Sequence, residues 1–124
     1  MQYMLLIYGD ETSLMDASPE DQATGAKAWV DYTLWLKDEG RHVAGDALHP
    51  TASATTLRFD ADGKTLTTDG PFAETKEQLG GYYLLECEDL DQAIAAASKM
   101  PLRGGSVEIR PVMQFDAEGN PRMP

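Results

Sequence analysis

The chain has 124 residues, a formal net charge of −11 and a single cysteine. This length fits one domain that buries roughly two thirds of the surface of its unfolded chain. Its 10 Lys and Arg residues form no basic stripe among 21 Asp and Glu residues, which disfavours nucleic-acid binding. The lone Cys87 excludes an intramolecular disulfide, and we expect it to be a buried, reduced thiol.

The beginning of the chain carries neither a signal-peptide pattern nor a membrane-spanning run, because its longest apolar stretch covers only residues 3–8. We therefore expect an unprocessed, soluble cytoplasmic protein without a membrane partner. Residues 2–8 predict a strand that is apolar on both faces, with one row on each face: Tyr3, Leu5 and Ile7, and Met4, Leu6 and Tyr8. Both faces of such a strand must be covered.

A polar connection is expected over residues 9–17, followed by the first long helix. Ser18 is the expected N-cap, Pro19 the first helical residue, and Gly40 the stop after about Glu39. The apolar positions predict a buried face made of Ala26, Trp29, Val30, Thr33, Leu34 and Leu36.

Residues 42–48 predict a second strand with His42, Ala44, Asp46 and Leu48 on one face. Residues 55–60 and 64–68 flank Ala61-Asp62-Gly63 and predict a hairpin, and residues 82–87 predict the next strand. Asp89 should cap a second helix with Leu90, Ile94 and Ala97 in its apolar row, and a last strand should cover residues 106–115 with Pro111 at a sheet edge. The domain thus spans residues 1–115, and residues 116–124 are expected to form a flexible tail.

The element order predicts an α+β fold of the ferredoxin-like split βαβ plan, with the hairpin inserted in its middle. In that plan both helices cover one face of the sheet. Because the first strand is apolar on both faces, a second copy of the chain is the economical cover for the other face, and we expect a homodimer.

Residues 69–82 read Asp69-Gly70-Pro71-Phe72-Ala73-Glu74-Thr75-Lys76-Glu77-Gln78-Leu79-Gly80-Gly81-Tyr82, a polar turn and loop that run directly into an apolar strand. This segment, called the signature loop below, resembles the signature of the DGPF-type branch of the YCII-related family. The resemblance implies a dimeric α+β barrel. It also implies, for this branch, an association with extracytoplasmic-function sigma factors, and it names no substrate.

Asp46 is the first catalytic candidate, because an acid among small and apolar residues of a strand is disfavoured unless it is paired, exposed or used. Burial raises the pKa of a carboxyl group, and such a group can transfer protons near neutral pH. The alternative is a structural hydrogen-bond acceptor at the strand end. YCII-related proteins outside this branch are thought to pair an aspartate at a comparable place with a histidine near the first helix, where this chain has none.

His49 is the second catalytic candidate, as a proton shuttle at the strand exit before Pro50, although a solvent-facing loop histidine is the alternative. His42 is expected at the surface. In the signature loop, Asp69, Glu74, Lys76 and Tyr82 are candidate substrate contacts, with Lys76 facing an anionic oxygen. The alternative is a structural loop, held by ion pairs that include Glu77 and anchored by a buried Phe72.

Neither a metal ligand pattern nor a cofactor fingerprint is present in the sequence, so no metal and no cofactor are expected. Two functions remain open. One is a cofactor-free lyase or isomerase that moves a proton on a compact cyclic or aromatic molecule. The other is a non-catalytic dimer that binds a small molecule or a protein. An Asp46 enclosed in a pocket would favour the enzyme, and a solvated Asp46 would favour the binding protein.

Overall fold

The computed structural model describes residues 1–122, which form eight strands, three α-helices and one short 3₁₀ turn at Thr51–Ser53. In chain order the elements are β1 (Gln2–Gly9), α1 (Glu11–Met15), α2 (Pro19–Asp38), β2 (His42–Ala47), β3 (Thr55–Phe59), β4 (Thr65–Asp69), β5 (Gln78–Glu86), α3 (Leu90–Ala97), β6 (Ser106–Pro111), β7 (Gln114–Phe115) and β8 (Pro121–Arg122).

The main sheet is antiparallel and has the strand order β2-β5-β1-β6. The hairpins β3–β4 and β7–β8 form separate two-stranded sheets. The predicted α+β class is confirmed, with the β3–β4 hairpin inserted between two strands of the main sheet. Pro111 ends β6 at an edge of this sheet, where its missing N–H costs no ladder hydrogen bond.

One face of the main sheet carries the core. Tyr3 and Leu5 of β1 and Tyr83 and Leu85 of β5 are buried there, against Leu36 of α2 and residues of α3. Cys87 is 1% exposed in the same cluster, as expected for a small apolar side chain. The helices therefore cover this face alone.

The opposite face of the sheet, called the open face below, carries the second apolar row of β1. The strand pairing places its residues side by side: Ala44 and Asp46 of β2, Tyr82 and Leu84 of β5, Met4, Leu6 and Tyr8 of β1, and Glu108 and Arg110 of β6. The three β1 residues of this row are half-buried rather than buried. The two-sided apolar pattern predicted for β1 is thus present, with helices over one side.

The start of α2 follows the predicted local signals. The Ser18 hydroxyl accepts a hydrogen bond from the Asp21 N–H at 3.1 Å, and Pro19 is the first helical residue. The predicted buried face was partly wrong, because Tyr32 and Leu36 are buried while Val30 and Leu34 are 56% and 57% exposed. Since α2 is apolar around much of its circumference, its periodicity alone could not select the face that meets the sheet.

The predicted apolar row of α3 was also wrong in part. Ala93 and Ala96 are the buried positions, while Leu90 and Ile94 are about half exposed. The small alanines admit the Tyr32 ring, whose hydroxyl donates a 2.6 Å hydrogen bond to the Ala96 carbonyl oxygen. Burial, the largest cause, raises the pKa of Tyr32 well above its ordinary value.

Five further differences concern local structure. The expected polar connection contains α1, which Asp10 caps, and β5 begins at Gln78 rather than at residue 82. A bulge between His42 and Ala44 turns His42 toward the core face, so it does not share a face with Asp46. The last predicted strand is divided into β6 and β7, and the predicted tail contains β8, while residues 123–124 lie outside the described residues.

Candidate functional site

Asp46 and Tyr82 meet on the open face. They are direct partners in the pairing of β2 with β5, and the Tyr82 hydroxyl donates a 2.7 Å hydrogen bond to the Asp46 Oδ2 atom. This hydrogen bond and the negative charge of Asp46 raise the pKa of the Tyr82 phenol above its ordinary value. Tyr82 therefore remains a protonated donor at neutral pH. Two of the residues selected from the sequence, 36 positions apart, form one polar group.

Apolar side chains border this polar pair. Leu6 pairs with Tyr82 on the side away from β2, and Leu84 and Met4 pair in the next row of the same face. Asp46 itself is exposed, and Tyr82 is half-buried. A carboxylate and a phenol beside apolar side chains can hold a small molecule that offers hydrogen-bond donors on one edge and apolar surface on another.

A second polar cluster, which the sequence analysis missed, links the signature loop to α1 and to the 3₁₀ turn. Both carboxylate oxygens of Glu11 accept hydrogen bonds from Thr51, one from its N–H at 3.0 Å and one from its hydroxyl. The Glu11 N–H donates to the Gln78 side-chain oxygen at 3.1 Å, and the Gln78 amide donates to the Thr75 carbonyl oxygen at 2.6 Å. No local sequence signal reveals this cluster, because its members lie far apart in the chain.

The signature loop is held by hydrogen bonds to backbone carbonyl groups. Thr56 donates to the Gly70 carbonyl oxygen at 2.7 Å, and Arg58 donates to the Phe72 carbonyl oxygen at 2.6 Å. The ion-pair network of the structural alternative is wrong, since the ion pairs found across residues 1–122 are the N-terminus with Glu86 and Lys27 with Asp31. Carbonyl groups that lack a strand partner need donors, and neutral and charged side chains supply them here.

Phe72 does not anchor the signature loop by burial, contrary to the expectation. Its side chain is 73% exposed. The preceding turn instead has Gly70 at a φ of 96°, a conformation that favours glycine, with its N–H bonded to the Ala54 carbonyl oxygen at 2.8 Å. Backbone geometry at Gly70 thus fixes the turn that Phe72 was expected to fix.

The remaining candidate residues lie apart from the Asp46–Tyr82 pair. His49, Asp69, Glu74 and Lys76 are all exposed, with Asp69 at the end of β4 and the other three in connections. Within the described part of the chain, the hydrogen bond recorded for the Asp46 side chain is the one from Tyr82, and none joins it to His49 or Lys76.

The charge of Lys76 acts on Asp10 rather than on Asp46. Hydrogen bonds from Thr12 are the largest cause of a lowered pKa at Asp10, and the Lys76 ammonium contributes to the same shift. Glu77, next in the loop, accepts a 3.1 Å hydrogen bond from the Ser106 hydroxyl at the start of β6. The signature loop therefore lies near Asp10 and contacts β6, and Lys76 does not reach Asp46.

Neither of two cavities of about 180 Å³ contains Asp46. One lies between α2 and α3, beside Trp35 and Lys99, and the other lies beside Met1 and Met113. In the single chain the Asp46–Tyr82 pair lies on an open surface. Over residues 1–122, no group of three or more His, Cys, Asp and Glu side chains is arranged to hold a metal ion, and no helix is long and apolar enough to cross a membrane.

Comparison with known proteins identifies the family. The model of the YCII-related domain matches residues 1–116. The chain belongs to the YCII-related family. An uncharacterised protein of Rhizobium meliloti (strain 1021) is 37% identical over 118 residues, which cover 93% of this chain and 94% of that relative. This YCII-related chain therefore shares its whole domain, and not only the signature loop, with the family.

Proposed function

We propose that this YCII-related protein is a homodimer that binds a small molecule between two open faces, with Asp46 and Tyr82 as its polar contacts. The observation that carries the proposal is the 2.7 Å hydrogen bond between these two side chains beside the apolar residues Met4, Leu6 and Leu84 of a helix-free sheet face. A polar pair in such a place gives a ligand both orientation and apolar contact.

The strand order supports a ferredoxin-like plan and a dimeric α+β barrel for this chain. The order β2-β5-β1-β6 places the first and third sheet strands in the centre, and α2 and α3 each connect two strands that are separated in the sheet by one intervening strand, as in a split βαβ unit. The uncovered apolar row of β1 supports a second sheet as the cover. The resemblance of the signature loop to the DGPF-type branch points the same way.

The chemistry of the open face defines the ligand class. The Asp46 carboxylate accepts hydrogen bonds, so it favours a hydroxyl or protonated amine, and Tyr82 can accept one more hydrogen bond through its oxygen. Leu6, Leu84 and Met4 favour an apolar ring beside these groups. A compact cyclic molecule with hydroxyl groups on one edge fits this combination.

Catechol is a suitable probe for this site, because it joins an aromatic ring to two adjacent hydroxyl groups. We expect catechol to shift NMR signals of Tyr82 and Leu84 in a saturable titration, and Asp46→Asn to weaken binding about tenfold or more through loss of a charge-assisted hydrogen bond. Asp38→Asn, at an exposed acid at the end of α2 and outside the open face, is the matched control. Equal catechol affinity in wild type and Asp46→Asn would contradict the proposed site.

Proton transfer by Asp46 is the second candidate function. The same hydrogen bond supports it, because it orients the carboxylate and occupies its Oδ2 atom, which leaves the Oδ1 atom to act as a base toward a ligand. The exposure of Asp46 in the single chain favours binding over catalysis, and the second copy would have to enclose it.

Deuterium exchange separates these two functions. Cyclohexanone carries exchangeable hydrogens beside its carbonyl group, and an enzyme of this class should speed their exchange with D₂O. We expect Asp46→Asn to lower such catalysed exchange about 10²-fold or more while the protein remains a dimer. Exchange at the uncatalysed rate in the wild type, together with catechol binding, would identify a binding protein.

A further inference from the structure

The β3–β4 hairpin, residues 55–69, is called the arm below. Every residue from 57 to 69 is exposed. The backbone pairing of β3 is with β4, and side-chain hydrogen bonds from Thr56 and Arg58 join the arm to the signature loop at the Gly70 and Phe72 carbonyl oxygens. The arm thus extends from the body of the chain with exposed side chains on both of its faces.

Large apolar side chains lie on both faces of the arm. Leu57 and Phe59 share one face and are 49% and 68% exposed, and Leu66 on the other face is 62% exposed. An isolated two-stranded hairpin is only marginally stable in water, and clustered apolar side chains on it mark an interaction surface. The arm therefore needs a cover that its own chain does not provide.

The accessible surface of the chain indicates how large this cover is. The chain exposes 9049 Å². A folded monomer of 13.6 kDa should expose about 6,600 Å², so this chain exposes about 2,400 Å² more than a compact monomer. Four strands of about six residues span only about 400 Å² in projection, so the open face alone does not account for this excess.

We propose that the arm of each copy packs its Leu57–Phe59 face against the body of a second copy. Obligate homodimers bury roughly 1,000–2,500 Å² on each chain, which matches the excess area. A two-fold axis would make the contact reciprocal, so the same surface on each copy would cover the arm of the other copy. The arm also continues the proposed interface, because its base follows β2 and precedes β5, the strands that carry Asp46 and Tyr82. This inference rests on the proposed dimer.

Sedimentation equilibrium of a double variant tests the contact. Leu57→Asp with Phe59→Asp places two charges on the proposed contact face and should raise the dimer dissociation constant about 100-fold or more. Val30→Asp with Leu34→Asp is the matched control, since it changes two equally exposed apolar residues on α2, and it should leave the dissociation constant unchanged. Circular dichroism establishes that each variant is folded.

Hydrogen exchange of the unmodified protein gives a second readout. Amides of residues 55–69 should be protected well above the dimer dissociation constant and should exchange faster well below it. An unchanged dissociation constant in the arm variant, or arm exchange that is independent of concentration in a dimeric wild type, overturns the role of the arm and leaves the dimer intact. A monomeric wild type overturns both the dimer and the role of the arm. A dimeric wild type that does not bind catechol overturns only the proposed ligand site.

Discussion

At Gly81 a methyl group would lie 2.9 Å from the carbonyl oxygen of Asp46 in the adjacent strand, a distance that real side chains do not tolerate. At the neighbouring Gly80, the nearest atom to such a methyl group is the Ile7 carbonyl oxygen at 4.0 Å. Position 81 therefore has no room for a side chain, whereas position 80 has room for a methyl group. Gly81 permits the close approach of β2 and β5 that joins Asp46 to Tyr82.

We expect Gly81→Ala to lower the free energy of unfolding by about 1–3 kcal/mol, because the backbone of β2 must move to admit the methyl group. Gly80→Ala is the matched control and should stay within about 0.5 kcal/mol of the wild type. Urea unfolding followed by circular dichroism measures both. Equal effects of the two substitutions would show that the contact with Asp46 is not the constraint.

The exposure of Phe72 predicts that its side chain contributes little to folding stability. Because its ring is 73% exposed, Phe72→Ala should change the free energy of unfolding by no more than about 0.5 kcal/mol. Leu36→Ala, at a position with 0% exposure, should cost about 2–5 kcal/mol and serves as the comparison. A loss of similar size at Phe72 in thermal unfolding would mean that another surface covers this ring.

Among the elements, α2 and α3 meet through one buried phenol. The Tyr32 hydroxyl donates to the Ala96 carbonyl oxygen, and its ring lies edge-on to Trp29 and Tyr83. The arrangement stabilises the neutral phenol, because burial opposes its ionisation. The packing of the two helices is thus linked to pH in the alkaline range.

Folding stability should fall as pH rises above about 10, where Tyr32 ionises in the unfolded chain but stays protonated in the folded one. The unfolded state then binds fewer protons than the folded state, so the free energy of unfolding decreases with pH. Tyr32→Phe cannot ionise and should show a smaller decrease between about pH 8 and about pH 11. Denaturant unfolding at the two pH values measures the decrease in the free energy of unfolding. An equal decrease in the wild type and in Tyr32→Phe would contradict the prediction.

On the scale of the whole molecule, the open face determines the expected assembly. A charge at its centre should be incompatible with a second sheet packed on it, since an unpaired buried charge is costly. Leu6→Asp should therefore convert the expected dimer to a monomer in sedimentation velocity, whereas Leu34→Asp on the exposed side of α2 should not. A Leu6→Asp protein that sediments like the wild-type dimer would place the interface elsewhere.

Local signals determined most of the elements. The Ser18-Pro19 start of α2, the Asp89 cap of α3 and the turn before β4 each depend on residues a few positions apart, so the sequence alone predicts them. The two apolar rows of β1 were readable for the same reason, because alternation along a strand is local. Asp46 and Tyr82 were recognised singly, as an unusual acid in a strand and as the end of the signature loop.

Only the tertiary structure decided which of these features meet. Tyr32 rather than Val30 faces the core, because the helix docks by the packing of distant side chains and α2 is apolar on several sides. The bulge after His42 sets which face Asp46 occupies, and the strand register then places it opposite Tyr82. Glu11 and Thr51 meet for the same reason. Each of these contacts joins residues that are far apart in the sequence. A local sequence pattern therefore cannot predict them.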